Sequence, residues 1–195
     1  MARRTPRGQL IAVDGGGPAV AAAARHLARV LRSRNGDGGI SSWNSSGIFT
    51  ELAAAEPGVS GPSARTLALL YAADLAFRIR WQIRPAIEAG QWVVAVPYVE
   101  TIKALGMAAG LPRRWLVELF RFVPKADICY HATDKSRHGN AAKGGLTDSF
   151  LSALAASGDS MDPAQLRKRS MEYLTSLERR GRIRRLPPGV RSVRL

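Results

Sequence analysis

The chain opens on a short apolar run, Gln9 to Asp14 (QLIAVD), that stops at Gly15-Gly16-Gly17-Pro18. An apolar run closed by a glycine cluster predicts a buried strand and a tight turn. From Ala19 to Arg34 the spacing becomes helical. Val20, Leu27 and Val30/Leu31 share one face, and Arg25, Arg29 and Arg32 lie on the other. Asn35 to Gly39 is a turn cluster, and Ile40 to Trp43 reads as a short second strand. Ser60-Gly61-Pro62-Ser63 signals a helix start. The helix after it runs to about Ala89, with Leu67, Leu70, Phe77 and Trp81 as its apolar stripe and a kink expected at Pro85. Gln91 to Val96 is a third strand closed by Pro97. Val99 to Ala109 and Pro112 to Phe122 read as helices, and Ala126 to Ala132 as a fourth strand. Thr133 to Gly145 is polar and rich in glycine and lysine, and its composition predicts a mobile loop. Pro163 to Arg179 is a charged amphipathic helix, and Ile183 sits in a short edge strand between arginines.

Strands alternating with helices predict an α/β fold, a three-layer α/β/α arrangement around a parallel sheet. Ligands of such sheets bind beyond the carboxyl ends of the strands. The stretches to examine are those after Asp14, Trp43, Val96 and Ala132.

At 195 residues, with 46% hydrophobic and 23% charged positions, the chain suits one domain with one sizeable core. No linker or internal repeat divides it, so residues 1–195 are read as one domain. It has a lid-like loop at about 133–147 and a basic tail at about 180–195. No apolar run approaches the roughly 20 residues of a membrane span, and Leu10 to Val13 is too short for a signal-peptide core. The expected setting is the cytoplasm. The single cysteine, Cys129, excludes an intrachain disulfide and a cysteine metal cluster, and its apolar neighbours suggest a buried, inert thiol. His26, His131 and His138 lack metal-ligand spacing. The net charge of +14 favours polyanions of any kind. Arg167, Lys168, Arg169, Arg179, Arg180, Arg182, Arg184, Arg185, Arg191 and Arg194 concentrate that charge toward the C-terminus.

Several collinear segments carry a family resemblance. They are Leu70-Tyr71-Ala72-Ala73-Asp74, Ile83-Arg84-Pro85-Ala86-Ile87, Gly90-Gln91-Trp92-Val93-Val94, Gly110-Leu111-Pro112-Arg113-Arg114-Trp115 and Pro124-Lys125-Ala126-Asp127. In order and spacing they resemble the thymidylate kinase family over roughly residues 8 to 175. The resemblance implies a P-loop nucleoside-monophosphate kinase fold, phosphoryl transfer from ATP to dTMP with magnesium, and a homodimer paired through helices on one side of the sheet. It also implies site residues. Tyr71 takes the aromatic position that stacks on the base. Tyr98 follows the strand-end pair, Asp14 is the acid at the end of the first strand, and Asp74 and Arg78 lie one helical turn apart near the substrate.

The same alignment exposes losses. A P-loop reads G-x-x-x-x-G-K-[ST], in which backbone amides cradle phosphates, the lysine reaches them and the hydroxyl holds magnesium. The matching run here is Gly15, Gly16, Gly17, Pro18, Ala19, Val20, Ala21, Ala22. Val20 replaces the second glycine, Ala21 the lysine and Ala22 the hydroxyl residue. Leu75 stands for the arginine of Ala-Asp-Arg, Val96-Pro97 for the Asp-Arg pair, and Trp43 to Gly47 for the arginine and Glu-Pro-Gly-Gly run. Gly106 stands for the substrate glutamine. Because phosphoryl transfer is mostly positioning and charge stabilisation, these losses predict little or no catalysis and no confident metal or cofactor site. Rebuilt catalysis would draw on Asp14 and Glu100 for magnesium and on Lys135, Arg137 and Lys143 of the lid for ATP. A third possibility is a binder of nucleic acid or of an acidic protein through the C-terminal arginines.

Overall fold

The computed structural model describes residues 8–17, 19–53, 61–132, 145–156 and 162–186. Nearly all of the expected lid loop and the last part of the basic tail lie outside these residues. Among the described residues, five parallel strands form one sheet in the order β2-β3-β1-β4-β5: β1 (Leu10–Gly15), β2 (Gly38–Ser42), β3 (Trp92–Val96), β4 (Ile128–Ala132) and β5 (Arg184–Arg185). All residues of β1 and β3 are buried, which explains why the two strands read as unbroken apolar runs. The described α-helices are α1 (Ala19–Asn35), α2 (Ile48–Ala53), α3 (Ala64–Arg78), α4 (Arg84–Glu88), α5 (Val99–Ala108), α6 (Arg113–Leu119), α7 (Leu146–Ala156) and α8 (Pro163–Arg179).

The alternation of side chains along each strand splits the core in two. Ile11, Val13, Val94, Val96 and Tyr130 pack with Val20, Ala24, Leu27 and Leu31 of α1 on one face. Leu10, Ala12, Val93 and Ala95 pack with α3, α5 and α7 on the other. The chain therefore has a three-layer α/β/α architecture around a parallel sheet, in agreement with the periodicity. No described helix is long and apolar enough to cross a membrane.

The elements depart from the sequence pattern in four places. The long helix is interrupted ahead of Pro85 rather than kinked at it. A π-helical turn (Ile79–Ile83) separates α3 from α4. Pro85 has no N–H to offer the preceding turn and its ring crowds that turn's carbonyls, so a widened turn upstream accommodates it. The apolar stripe differs as well. Leu67 is buried, but Phe77 is 40% and Trp81 62% exposed. The core side of α3 is instead Leu67, Ala68, Tyr71, Ala72 and Leu75, and it includes two charged residues, Asp74 and Arg78. The pattern predicts no element at 48–53 or 146–156, where α2 and α7 form. α2 is too short to show a period, but Leu146, Phe150, Leu151 and Leu154 of α7 are a helical set, all buried. Finally, β2 starts at Gly38, two residues before the predicted strand. A Cβ at Gly38 would lie 2.2 Å from the Trp92 ring, so only glycine lets β2 run beneath that indole.

Arg78 ties these layers together. Its side chain is fully buried. Its Nε donates to Ser41 Oγ at 3.0 Å and its Nη2 to the Ser41 carbonyl at 2.6 Å. Its Nη1 donates to the Pro97 carbonyl at 3.2 Å and lies 4.0 Å from Asp74. One guanidinium thus holds α3 to the ends of β2 and β3. We expect Arg78→Met to cost about 3–5 kcal/mol, because it leaves Asp74 buried without its charge partner and several acceptors unpaired. Arg84→Met on the exposed side should stay within about 0.5 kcal/mol. Urea unfolding of both variants checks this, and equal midpoints would contradict it.

Candidate functional site

The carboxyl ends of β1, β2 and β3 bring most of the described sequence candidates together. At the end of β1, Asp14 is 2% exposed. Its Oδ1 accepts from the Tyr98 amide at 3.0 Å, the Thr101 amide at 2.9 Å and the Thr101 hydroxyl at 2.8 Å. Tyr98 and Thr101 lie at the start of α5, so Asp14 caps that helix from a neighbouring strand, where the free amides of a first turn need an acceptor. Burial raises its pKa to about 6, against the lowering effect of the Thr101 amide; Glu100 nearby adds to the rise.

Asp74 does the same for the turn after β2. Its Oδ2 accepts from the Asn44 amide at 3.1 Å, and its Oδ1 from the Ser46 amide at 3.0 Å and the Ser46 hydroxyl at 2.9 Å. Asn44, at φ 61°, takes the left-handed conformation that asparagine tolerates, and its Oδ1 accepts from the Phe49 amide at 2.8 Å. Trp43 to Gly47 is thereby stitched to α3 and α2.

Tyr71 is 0% exposed. Its hydroxyl donates to the carbonyls of Pro97 at 2.8 Å and Tyr98 at 2.5 Å, and its ring meets Phe120 edge-on. Burial pushes its pKa upward, which keeps it a donor. Tyr98 is 4% exposed and donates from its hydroxyl to the Pro124 carbonyl at 2.7 Å. Neither ring offers a face for stacking in this conformation. Tyr71, Asp74, Arg78, Tyr98 and Asp14 thus form one buried lattice around the Pro97 turn, with Thr101 and Ser41 as members the motifs do not mark. The only sequence signal for those two is their position beside strand ends.

The stretch matching a phosphate loop is filled by its neighbours. Gly15 stands at φ 154°, and a Cβ there would lie 2.3 Å from the Ala132 carbonyl and 3.0 Å from Val20 Cγ2. Val20 is buried in the α1 core and leans over the loop where a glycine would leave space. A Cβ on Gly16 would meet Met171 Sδ of α8 at 2.9 Å, and one on Gly145 would lie 3.5 Å from the Gly17 carbonyl oxygen. Pro18 is outside the described residues, and Ala19, Ala21 and Ala22 bring no polar side chain. Glu100 is paired with Lys103 at 3.0 Å and accepts from the Tyr173 hydroxyl at 3.1 Å. Among the described residues no group of three histidine, cysteine, aspartate or glutamate side chains is placed to hold a metal. The described side chains therefore do not fit a magnesium–ATP complex of the P-loop kind. Lys135, Arg137 and Lys143 also lie outside the described residues.

His131, which belongs to no metal-ligand spacing, is the strand neighbour of Asp14. Its Nδ1 is 3.0 Å from Glu178 Oε2, and its Nε2 is the one buried side-chain nitrogen or oxygen among the described residues without a partner. Cys129 is half-buried, and burial pushes its thiol to about 11, in keeping with an unreactive cysteine.

No protein-family model matches the chain. It is 41% identical over 63 residues to the probable thymidylate kinase of Thermococcus kodakarensis, a span covering 32% of this chain and 31% of that protein. It is 39% identical over 61 residues to the probable thymidylate kinase of Thermococcus gammatolerans, covering 31% of this chain and 29% of that protein. The match thus spans less than a third of the length of these curated relatives. In structure it is similar to the thymidylate kinase of Ehrlichia chaffeensis, with a TM-score of 0.68 over 92% of this chain and 91% of that one, at 12% identity. At that identity the structural likeness is one of fold.

The Asp14 environment yields a pH prediction. An acid whose folded pKa lies above its unfolded value stabilises fully below the unfolded value, and the contribution fades as pH rises through the folded one. For a rise from 3.8 to about 6 the loss is about 3 kcal/mol. The side-chain amide introduced by Asp14→Asn does not titrate. The stability of the parent relative to this variant should therefore fall between pH 4 and about 7. A difference that grows with pH in denaturant titrations would mean that the lattice prefers the charged carboxylate.

Proposed function

We propose that this chain, thymidylate kinase-like in fold and in a third of its sequence, has a degenerate nucleotide site and is inactive or strongly impaired in phosphoryl transfer from ATP to dTMP. The observation that carries the proposal is the buried lattice. Tyr71, Asp74, Arg78 and Tyr98, which the resemblance assigns to substrate, spend their polar atoms on the chain's own backbone and on one another. A side chain whose donors or acceptors are taken up inside the protein has few left for a substrate, and freeing them would cost the network about 1–3 kcal/mol per orphaned group. The absence of a lysine and a hydroxyl at Ala21 and Ala22 supports the same reading, because a P-loop draws its phosphate charge balance and its metal from those two positions. Asp14 supports it as well, since a carboxylate taking three hydrogen bonds is an anchor for α5.

The proposal includes a cytoplasmic setting and a homodimer. Leu69 (48% exposed), Phe77 (40%) and Trp81 (62%) lie on the outward side of α3 and of the turn that follows it. An apolar flank of that kind suits pairing through helices on one side of the sheet.

Two measurements test this. Titrating magnesium–ATP at moderate salt into the purified protein, with a coupled assay on dTMP, should give no heat at millimolar nucleotide and no turnover. Micromolar binding with turnover would instead establish a rebuilt kinase site using the lid residues. Light scattering during gel filtration should give twice the 21.0 kDa chain mass, and Trp81→Glu should shift the population toward monomer. A monomeric parent would exclude the dimer.

A further inference from the structure

At the sheet edge formed by β5, α8 ends and the chain turns into the strand through Arg179, Arg180, Gly181, Arg182 and Ile183. Arg179, Arg180, Arg182 and Arg184 are all exposed, and none makes an ion pair among the described residues. The acid beside them is taken. Glu178 accepts from Arg185 Nε at 2.6 Å through Oε1 and faces His131 Nδ1 at 3.0 Å through Oε2. Because a carboxylate only accepts, the imidazole donates. Desolvation works against the charged form of Glu178, but these two hydrogen bonds hold its carboxyl below the ordinary range. Glu178 is therefore an ionised clamp joining β4, α8 and β5, with no capacity to neutralise the four arginines. Ile183, 4% exposed and packed with Leu174 and Ala104, anchors the turn, so the arginines project from a fixed base.

Ordinary structural duties do not use all four. Cations in a last helical turn answer the helix dipole, which accounts for Arg179 and Arg180. A charged edge strand discourages strand pairing, which accounts for Arg184. Arg182, in the bend between, serves neither purpose, and a single charge at each place would be enough for both. Four uncompensated guanidinium groups between positions 179 and 184 form a local field strong enough to collect phosphates.

We propose that this edge binds the phosphate backbone of nucleic acid without reading its sequence. Charge complementarity and the composition of the stretch favour this partner. The guanidinium fork matches phosphate oxygens bidentately. The stretch carries no aromatic side chain for stacking on bases: the nearest tyrosine on α8, Tyr173, is committed to Glu100 at 3.1 Å. Contacts of this kind hold any sequence alike and depend steeply on salt. The proposal stands apart from the degenerate nucleotide site, because its residues lie in none of the segments that meet at Pro97.

The test compares two variants of equal net charge. One changes Arg179, Arg180, Arg182 and Arg184 to glutamine. The other changes Arg25, Arg29, Arg32 and Arg84, exposed on other elements, to glutamine. Binding of a labelled duplex of about 20 base pairs is followed by anisotropy across a salt series. The parent should bind two unrelated sequences alike. The edge variant should bind roughly tenfold or more weakly at low salt, with a log–log salt slope shallower by about 3 to 4, near 0.9 per lost phosphate contact. The control should keep the parent slope. Equal losses in both variants would reduce the effect to net charge and overturn the proposal. So would failure of the parent to bind at low salt, or tighter capture of polyglutamate than of duplex, which would point to an acidic protein instead.

Discussion

The structure depends on how the backbone at the carboxyl ends of β1, β2 and β3 is satisfied. In an open parallel sheet that region is where strand carbonyls and helix amides are left facing a cleft. Here side chains from elsewhere in the same chain satisfy them. Arg78 and Tyr71 donate to the Pro97 and Tyr98 carbonyls. Asp14 accepts amides from the turn that follows β3, and Asp74 from the turn that follows β2. Each bond alone contributes modestly. Together they are cooperative, because losing one partner leaves the others buried and unpaired.

This arrangement has a chemical cost. Charged and aromatic side chains beside a cleft are useful to a ligand only while their polar atoms are free or exchange water readily. In this structure Arg78 spans three acceptors and the Tyr71 ring is fully covered. The phosphate-loop stretch follows the same logic. Val20 fills space that glycine would leave, and Met171 rests against Gly16, so the turn is supported by packing from α1 and α8.

The charge distribution is as uneven as the polar network. The buried groups Asp14, Asp74 and Arg78 cluster near the ends of the inner strands, each hydrogen-bonded within the chain. The excess of positive charge lies on surfaces, above all where α8 meets β5, and there the nearest acid is already clamped by His131 and Arg185.

The sequence by itself determined the layer architecture, because short apolar runs closed by glycine or proline alternate with helical spacing such as that of Val20, Leu27 and Leu31, which a parallel sheet covered on both faces satisfies. It also determined the side chains that follow the first strand, where Ala21 and Ala22 carry neither an amine nor a hydroxyl. Tertiary structure alone decided which partners the remaining candidates reach. Tyr71 and Tyr98 read equally well as base contacts or as core, because one sequence position does not say which carbonyl, separated by tens of residues, a hydroxyl will reach. The partners that Tyr71, Asp74 and Arg78 reach, Pro97, Asn44, Ser46 and Ser41, lie tens of residues away in sequence. Phe77 and Trp81 were illegible for a related reason. An apolar stripe on a helix looks the same whether it faces the core or the outside, and at Trp81 the π turn (Ile79–Ile83) also shifts the register.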